Sequence, residues 1–333
     1  MTRQDTARLP GVALDALRRA ILDQAEEHGL TLRSDDPCAL RLGTVYGEMA
    51  FAADPEGCII TLSAEREDHL QTLRDSVIYH AAAFAPEAAQ ALRWQDRERS
   101  GLPANARLMR VERVEPLDCG FLRVTLAGDV SRFGAAAIHF RLGLPPQGRT
   151  PVWPTVGSNG ATLWPKGEDA LHLPVYTARS ATGGRLVFDI FRHEGGRTTT
   201  WAETVSPGTE VLIAGPGGGG CLIEGRILAH IDDTAFPAMA RILEACPGLT
   251  GEVHLYPSNE ATARYPFPAH RGVRLRRHMR AGARLGADAC AALDTGSFPW
   301  LAGERRHADR LRKAWKAAGG AAKQAYIAAY WQA

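Results

Sequence analysis

The sequence predicts a multi-domain protein of α+β and α/β class: an N-terminal α+β domain, a central antiparallel β-barrel and a C-terminal parallel α/β layer. Three observations lead there. A chain of 333 residues is longer than one ordinary core accommodates. The apolar periodicity changes along it, from helix, strands and helix, to short alternating strands, to strands separated by helices. A charged, Gly- and Pro-containing stretch from Gln95 to Ala106 separates the first pattern from the second. The boundaries that follow are 1–95 for the first domain, 96–106 for a linker, 107–222 for the barrel and 223–333 for the α/β layer.

From Val12 to His28, Leu14, Leu17, Ile21 and Ala25 recur at steps of three and four before Gly29, which predicts an amphipathic helix with a glycine stop. Strand-like runs follow at Cys38–Leu42, Val45–Phe51 and Cys58–Ser63, and Leu70, Leu73, Val77, Ala81 and Phe84 mark a second helical face. This first domain ends near Trp94. In the middle third, Leu122, Val124 and Leu126 alternate with polar residues, as do Leu186, Phe188 and Ile190. Short strands with long Pro- and Gly-rich connections suit a closed or nearly closed antiparallel barrel from about Arg107 to Gly215. The last third predicts a strand at Arg226–Ala229, a helix at Thr234–Ala245 with Pro237 in its first turn, and a strand at Val253–Tyr256. The pattern returns as a strand at Pro299–Ala302, a basic helix from Glu304 to about Ala318 and a strand at Ala325–Ala329. Parallel strands with helical crossovers imply a nucleotide-binding type of layer, with its ligand at the carboxyl ends of the strands.

Composition excludes several classes. The formal charge is +2, and no run of Lys and Arg interleaved with aromatics is present to follow a phosphate backbone, so nucleic acid is not an expected partner. No apolar stretch approaches the roughly 20 residues of a spanning helix, and Met1 to Pro10 lacks the apolar core of a secretory signal. No membrane insertion and a cytoplasmic location are therefore expected. Cys38, Cys58, Cys119, Cys221, Cys246 and Cys290 are scattered singly, without the spacing of a metal site or a dithiol. Any electrons must therefore travel through a non-protein cofactor.

The segment Pro174-Val175-Tyr176-Thr177-Ala178-Arg179 resembles the flavin motif of ferredoxin-reductase-like enzymes, Arg-x-Tyr-Ser/Thr with a second Arg downstream. The run from Phe188 to Ala202, with His193, Gly195, Gly196, Thr198, Thr199, Thr200 and Trp201, narrows the resemblance to the siderophore-interacting family of flavin reductases. Further matching segments are Ile138-His139-Phe140-Arg141-Leu142, the junction Gly215-Pro216-Gly217-Gly218, Asp232-Asp233-Thr234-Ala235-Phe236-Pro237-Ala238, Trp300-Leu301-Ala302-Gly303-Glu304 and the terminal Tyr330-Trp331. Residues Trp153-Pro154 through Trp164-Pro165 resemble an insertion found in some members, and the block through Trp94 a small domain of unknown role sometimes fused ahead of them.

The resemblance implies FAD and NAD(P)H as cofactors and ferric iron held in a siderophore as acceptor, with no catalytic side chain because the flavin carries the chemistry. Tyr176 would pack on the isoalloxazine, Thr177 would bond its edge, and Arg179 would neutralise the pyrophosphate with His193, Gly196, Thr198, Thr199, Thr200 and Trp201. Asp232, Asp233, Thr234, Ala235, Gly303, Glu304 and Trp331 would hold the nicotinamide cofactor, and Arg141 and Arg312 would face an anionic substrate. His139 and His193 receive no proton-transfer role, because a lone histidine is ordinarily a hydrogen-bonded structural group. Two departures stand out. Leu173 and Pro174 replace the first motif arginine, leaving Arg179 and the Thr198–Thr200 helix start to hold the phosphates, and Ile231 replaces a glycine before Asp232. Ser258, Asn259, Glu260 and Arg264 leave NADH and NADPH both open. A general flavin electron-transfer reductase and a redox-inactive siderophore-binding module remain as rival readings.

Overall fold

The computed structural model describes residues 2–27, 29–95, 101–279 and 284–333. His28 and residues 96–100 of the expected linker lie outside the described residues. In chain order the first elements are β1 (Arg3–Pro10), α1 (Leu14–Glu27), β2 (Thr31–Asp36), β3 (Ala39–Thr44), β4 (Gly47–Asp54), β5 (Gly57–Ala64), α2 (Glu67–Phe84), α3 (Pro86–Ala91) and β6 (Arg93–Trp94). Then come β7 (Ala106–Leu117), β8 (Phe121–Ala127), β9 (His139–Gly143), β10 (Thr155–Val156), β11 (Thr162–Leu163), β12 (Val175–Thr182), β13 (Arg185–Phe191), α4 (Arg197–Thr204) and β14 (Glu210–Gly217). The last third holds β15 (Arg226–Asp232), α5 (Phe236–Ala245), β16 (Thr250–Tyr256), β17 (Val273–Arg277), α6 (Leu285–Ala291), β18 (Phe298–Glu304), α7 (Arg305–Ala317) and β19 (Tyr326–Trp331).

These elements form two packing units. One comprises residues 1–107 and 144–172, the other 108–143 and 173–333. The first is a six-stranded antiparallel sheet in the order β2-β3-β4-β5-β1-β6, with Leu14, Leu17, Leu70, Leu73 and Val77 from the helices completing its core. The sequence reading lacked β1 and β2. β1 buries Asp5, Ala7 and Leu9, so its inward face carries a charge that conceals the alternation, and β2 is an exposed edge with nothing inward to count. Asp5 is stabilised by Arg74 of α2, whose Nε donates to it at 2.7 Å inside the core. The excursion between β9 and β12 packs with this unit through Asp75 of α2. Its carboxylate accepts from the Thr162 amide and hydroxyl, both at 2.8 Å, and from Asn105 at 3.1 Å.

In the second unit β12-β13-β8-β7-β14-β9 close into a barrel. Inward residues Val124, Leu126, Phe140, Leu186, Phe188 and Leu212 fill it. A parallel sheet in the order β17-β16-β15-β18-β19 follows, with its core on α5. α5 buries Phe236, Pro237, Ala238, Met239, Ala240, Ile242 and Leu243 and keeps Arg241 and Glu244 on its open face. The chain starts this sheet at β15, adds β16 and β17 on one side, and returns to add β18 and β19 on the other. The carboxyl ends of β15 and β18 therefore flank the topological switch point, where open α/β sheets bind ligands. No helix among the described residues is long and apolar enough to cross a membrane.

Candidate functional site

Antiparallel register assembles the barrel side of the site. β12 closes the barrel against β9, setting Tyr176 opposite Phe140 and Thr177 opposite His139. The Tyr176 ring lies 5.3 Å from that of Phe188, and its hydroxyl is hydrogen-bonded to Thr198 in the first turn of α4. The strand motif and the helix start, 22 residues apart by numbering, are thus one locus. Thr177 is buried, with Oγ1 at 3.1 Å from His139 Nδ1.

α4 begins without a side-chain cap at Gly196. The amide of Thr200 finds an intrahelical acceptor, Gly196 O at 2.9 Å, and the amides of the turn before it point toward the space ahead of the helix, the direction from which an anion meets a helix start. A Cβ on Gly196 would lie 2.7 Å from His193 Cε1 and 2.9 Å from Thr199 Oγ1, so only glycine leaves this cradle open. Thr198 and Thr199 are buried beside it. Thr200 is exposed and turns its hydroxyl back to Gly196 O at 3.1 Å, which commits it to its own helix. Trp201 is half-buried, and His193 is exposed with Nδ1 near Glu194 O at 3.2 Å.

At the switch point Asp232 closes a polar knot. Its Oδ1 accepts from the Thr234 amide at 3.0 Å and hydroxyl at 2.6 Å, and its Oδ2 accepts from Trp331 Nε1 at 2.8 Å. A Cβ on Gly303 would sit 2.5 Å from that Oδ2, which explains the glycine at the end of β18. Burial pushes the carboxyls of Asp232 and Asp233 up. Asp233 Oδ2 accepts from the Ser258 amide at 3.0 Å, while Oδ1 is buried with no hydrogen-bond partner among the described residues. Ala235 is fully buried beneath the turn, and Glu304 is buried with Arg306 at 2.8 Å. Asn259 caps the loop after β16 by accepting from the Ala261 and Thr262 amides, each at 3.0 Å.

The arginines divide. Arg179 forms a two-pronged pair with Glu244 of α5 at 2.9 and 2.7 Å, and its Nε lies 4.0 Å from Asp189. It joins the barrel to the α/β layer rather than standing open toward an anion. Arg312 is also engaged, with Asp309 at 2.8 Å and the carbonyl of Ile327 at 2.7 Å, so the structure does not offer it to a substrate. Arg141 is exposed on β9 and makes no ion pair among the described residues. Of the three arginines expected to meet an anion, Arg141 is the one without an ion pair among the described residues.

The sequence reading missed a second network. Asp189, fully buried, accepts from Arg123 at 2.7 and 2.8 Å and from Tyr265 at 2.7 Å, tying β13 to β8 and to the loop after β16. Its signal was an acidic residue inside the apolar alternation Phe188-Asp189-Ile190. It also gave His139 no role in the site. The His139 Nε2 meets Tyr330 at 3.2 Å and Tyr326 at 3.3 Å, a convergence of β9 with β19 that no local pattern announces. Burial and the cation of Arg241 push the His139 pKa down to about 4, and burial raises both phenols.

These features fit the two expected cofactors. A flat aromatic ring beside an uncapped helix start with a glycine cradle suits a flavin and its pyrophosphate. An orphaned buried carboxylate oxygen beside a glycine-lined strand end suits a hydroxyl-rich nucleotide at the switch point.

Comparison with known proteins agrees. Residues 110–220 match the family model described as siderophore-interacting FAD-binding domain, and residues 225–333 match that described as siderophore-interacting protein. The NADPH-dependent ferric-chelate reductase of Escherichia coli (strain K12) is 28% identical over 242 residues, covering 68% of this chain and 93% of that one. Among solved structures, a siderophore utilization protein from T. fusca aligns at TM-score 0.59 and 24% identity over 68% of this chain and 92% of that one. The siderophore-interacting protein SipS from Aeromonas hydrophila aligns at 0.55 and 20% over 69% and 99%. With both halves of the barrel-and-sheet unit matched, the chain belongs to the siderophore-interacting protein family.

Proposed function

We propose that this protein is an FAD-dependent oxidoreductase that takes hydride equivalents from NAD(P)H and reduces ferric iron held in a siderophore. One hydride carries two electrons, so each turnover converts two ferric ions to ferrous, and ferrous iron binds hard oxygen ligands less tightly. FAD, when bound, supplies the step between two-electron donor and one-electron acceptor. The observation that carries the reading is the link between Tyr176 of the flavin motif and Thr198 of the α4 start, which brings ring surface and anion-binding amides to one place. The ferric-chelate activity in the printed name of the E. coli relative supports the acceptor class, and that name also favours NADPH.

In this reading Tyr176 and Thr177 hold the isoalloxazine, and the Arg197, Thr198 and Thr199 amides hold the pyrophosphate beside His193, Gly196 and Trp201. Asp232, Asp233, Thr234, Ala235, Gly303, Glu304 and Trp331 form the nicotinamide side. Arg141 meets the anionic chelate. The flavin domain we assign is 107–222, apart from the excursion 144–172 that packs with the first unit, and the nicotinamide domain is 223–333, supported by matched segments at 110–220 and 225–333. We place the reaction in the cytoplasm, where reduced nicotinamide is generated. The free state of all six cysteines suits that compartment.

A spectrum of the purified protein tests this. Flavin absorbance, retained or restored by adding FAD, should bleach with NADPH and recover with a ferric siderophore but not with oxidised ferredoxin. Absence of any flavin binding would remove the enzyme reading. Recovery only with ferredoxin would replace the siderophore by a protein acceptor.

A further inference from the structure

β12 does not run as a regular strand. It pairs with β13 as Ala178 opposite Phe188 and Ser180 opposite Val187, so the register shifts at Arg179, which has no partner across the ladder. A bulge of this kind bends its strand and re-aims the extra side chain. Arg179 reaches α5, where Glu244 takes its guanidinium with two bonds, 2.9 and 2.7 Å. Tyr176 and Thr177 of the flavin motif lie just upstream on the same strand.

α5 meets the bulge a second time. Arg241, three residues before Glu244, donates to the carbonyl of Ala178 and, at 2.8 Å, to that of Gly134 ahead of β9. Residues three apart share a helix face, so one turn of α5 holds both the backbone and the side chain of the bulge. The N-terminal end of the same helix follows directly on Asp232, Asp233, Thr234 and Ala235 at the switch point. With a rise of about 1.5 Å per residue, about 12 Å of rigid helix separates Phe236 from Glu244. The switch-point turn and the flavin-motif strand are thus fastened to the two ends of one element.

The apolar contacts between barrel and sheet do not fix that spacing. Phe121 of β8, Phe236 of α5 and Tyr265 share one core, with the Tyr265 ring 4.7 Å from Phe121 and 5.8 Å from Phe236. Apolar burial is non-directional, so the orientation across this core is left to directional bonds. Tyr265 supplies one. Burial and the charge of Asp189 push its phenol up, so it keeps its proton and donates to Asp189 of β13 at 2.7 Å. Arg241 and Glu244 supply the others.

We propose that Arg241 and Glu244 are positioning residues which clamp the flavin-motif strand at its Arg179 bulge and so set the separation between flavin and nicotinamide. The inference rests on the reading of Tyr176 and Thr177 as the flavin side and of Asp232 to Ala235 as the nicotinamide side. Hydride transfer needs its reacting atoms about 3–3.5 Å apart, and a misplacement of about 1 Å can cost about a hundredfold in rate. In this chain the motif arginine orients the strand instead of meeting phosphate.

Hydrogen exchange in FAD-free protein tests the clamp. The Ala178 amide, bonded to Ile138 O at 2.9 Å, should exchange faster in Arg241→Met and in Glu244→Gln; unchanged exchange overturns the proposal. With FAD bound, both variants should keep the FAD affinity of the parent while flavin reduction by saturating NADPH slows about tenfold or more. Reoxidation of the photoreduced flavin by ferricyanide, which needs no nicotinamide, should keep its rate. Arg179→Met combined with Glu244→Met should slow reduction no further than either change alone, and Arg179→Lys should recover part of the loss. Tighter FAD binding in Glu244→Gln assigns the freed arginine to the pyrophosphate, and equal slowing of both half-reactions assigns the effect to general damage; either overturns the proposal. Should Arg241→Met fail to fold, Glu244→Gln, at an exposed position, carries both measurements. A parent flavin that neither NADPH nor NADH bleaches sinks the functional reading, while hydrogen exchange still judges the clamp.

Discussion

At the scale of single residues the fold holds its buried histidines neutral. Burial is the main cause of the low pKa of His139, about 4, and of His230, about 3, where the neighbouring rings of His254 and His278 add to it. His230 and His254 stack at 4.5 Å and His254 and His278 at 5.1 Å, so a proton on one opposes a proton on the next. A histidine whose folded pKa lies below its unfolded value of 6.5 binds protons more readily when unfolded. Its contribution to stability is complete above pH 6.5 and declines as pH falls toward the folded value. For His139 alone the displacement from 6.5 to about 4 corresponds to about 3 kcal/mol. We expect the melting temperature to drop steeply between pH 6.5 and 4, and His230→Asn to make that drop shallower; parallel curves for parent and variant would contradict this account. Gly303→Ala places a methyl group against Asp232 Oδ2 and should cost about 1–3 kcal/mol in urea unfolding. The same change should weaken NADPH binding in titration calorimetry while leaving FAD affinity in place. Tyr176→Ala is expected to do the reverse, lowering FAD affinity by about tenfold or more in fluorescence titration, through loss of a stacking surface worth about 1 kcal/mol and of the tie to Thr198.

At the scale of elements, polar groups decide where the segments lie. The β10–β11 hairpin is only two residues on each side and could not persist alone. It is fastened to α2 because the Asp75 carboxylate takes the Thr162 amide and hydroxyl together with the side chains of Asn105 and Gln71. Asp75→Ala leaves these donors unsatisfied and should cost about 2–4 kcal/mol, with loss of hydrogen-exchange protection at Thr162 as the local sign. If Thr162 stays protected, the hairpin is held by something other than Asp75. The helices and the parallel strands of the last third were legible in the sequence, since Thr234–Ala245 and Glu304–Ala318 carry clear starts and periods. β17 and α6 were not. β17 pairs on one side only and bears Arg274, Arg276 and Arg277, a charged edge that protects against stray pairing and removes the apolar signal. α6 is short, and its buried face consists of Leu285, Gly286 and Ala289, too little to register as a stripe.

At the scale of the whole molecule, the chain carries two packing units with separate cores, each large enough to unfold cooperatively. Calorimetry should therefore show a calorimetric enthalpy larger than the van't Hoff value. FAD at a hundredfold excess over its Kd should move the transition of the barrel-and-sheet unit alone, by about 2.7 kcal/mol. A single transition displaced as one by FAD would show that the units unfold together. By itself the sequence determined the order of architectures and the family, because periodicity and the run from Tyr176 to Trp201 are local properties of the chain. It also named Tyr176, Thr177, Gly196, Thr198, Asp232 and Gly303 as candidate site residues, which the structure gathers at the barrel end of α4 and at the switch point. What only the tertiary structure decided is how charge and hydrogen are shared. Arg179 and Arg312 read as free cations but are engaged by Glu244 and by the Ile327 carbonyl, while His139, given no role in the site, meets Thr177, Tyr326 and Tyr330. These partners lie from 15 to 191 residues apart in the chain. A residue's type states what it can donate or accept; which group it meets depends on strand register and sheet order, and those are settled when the core closes.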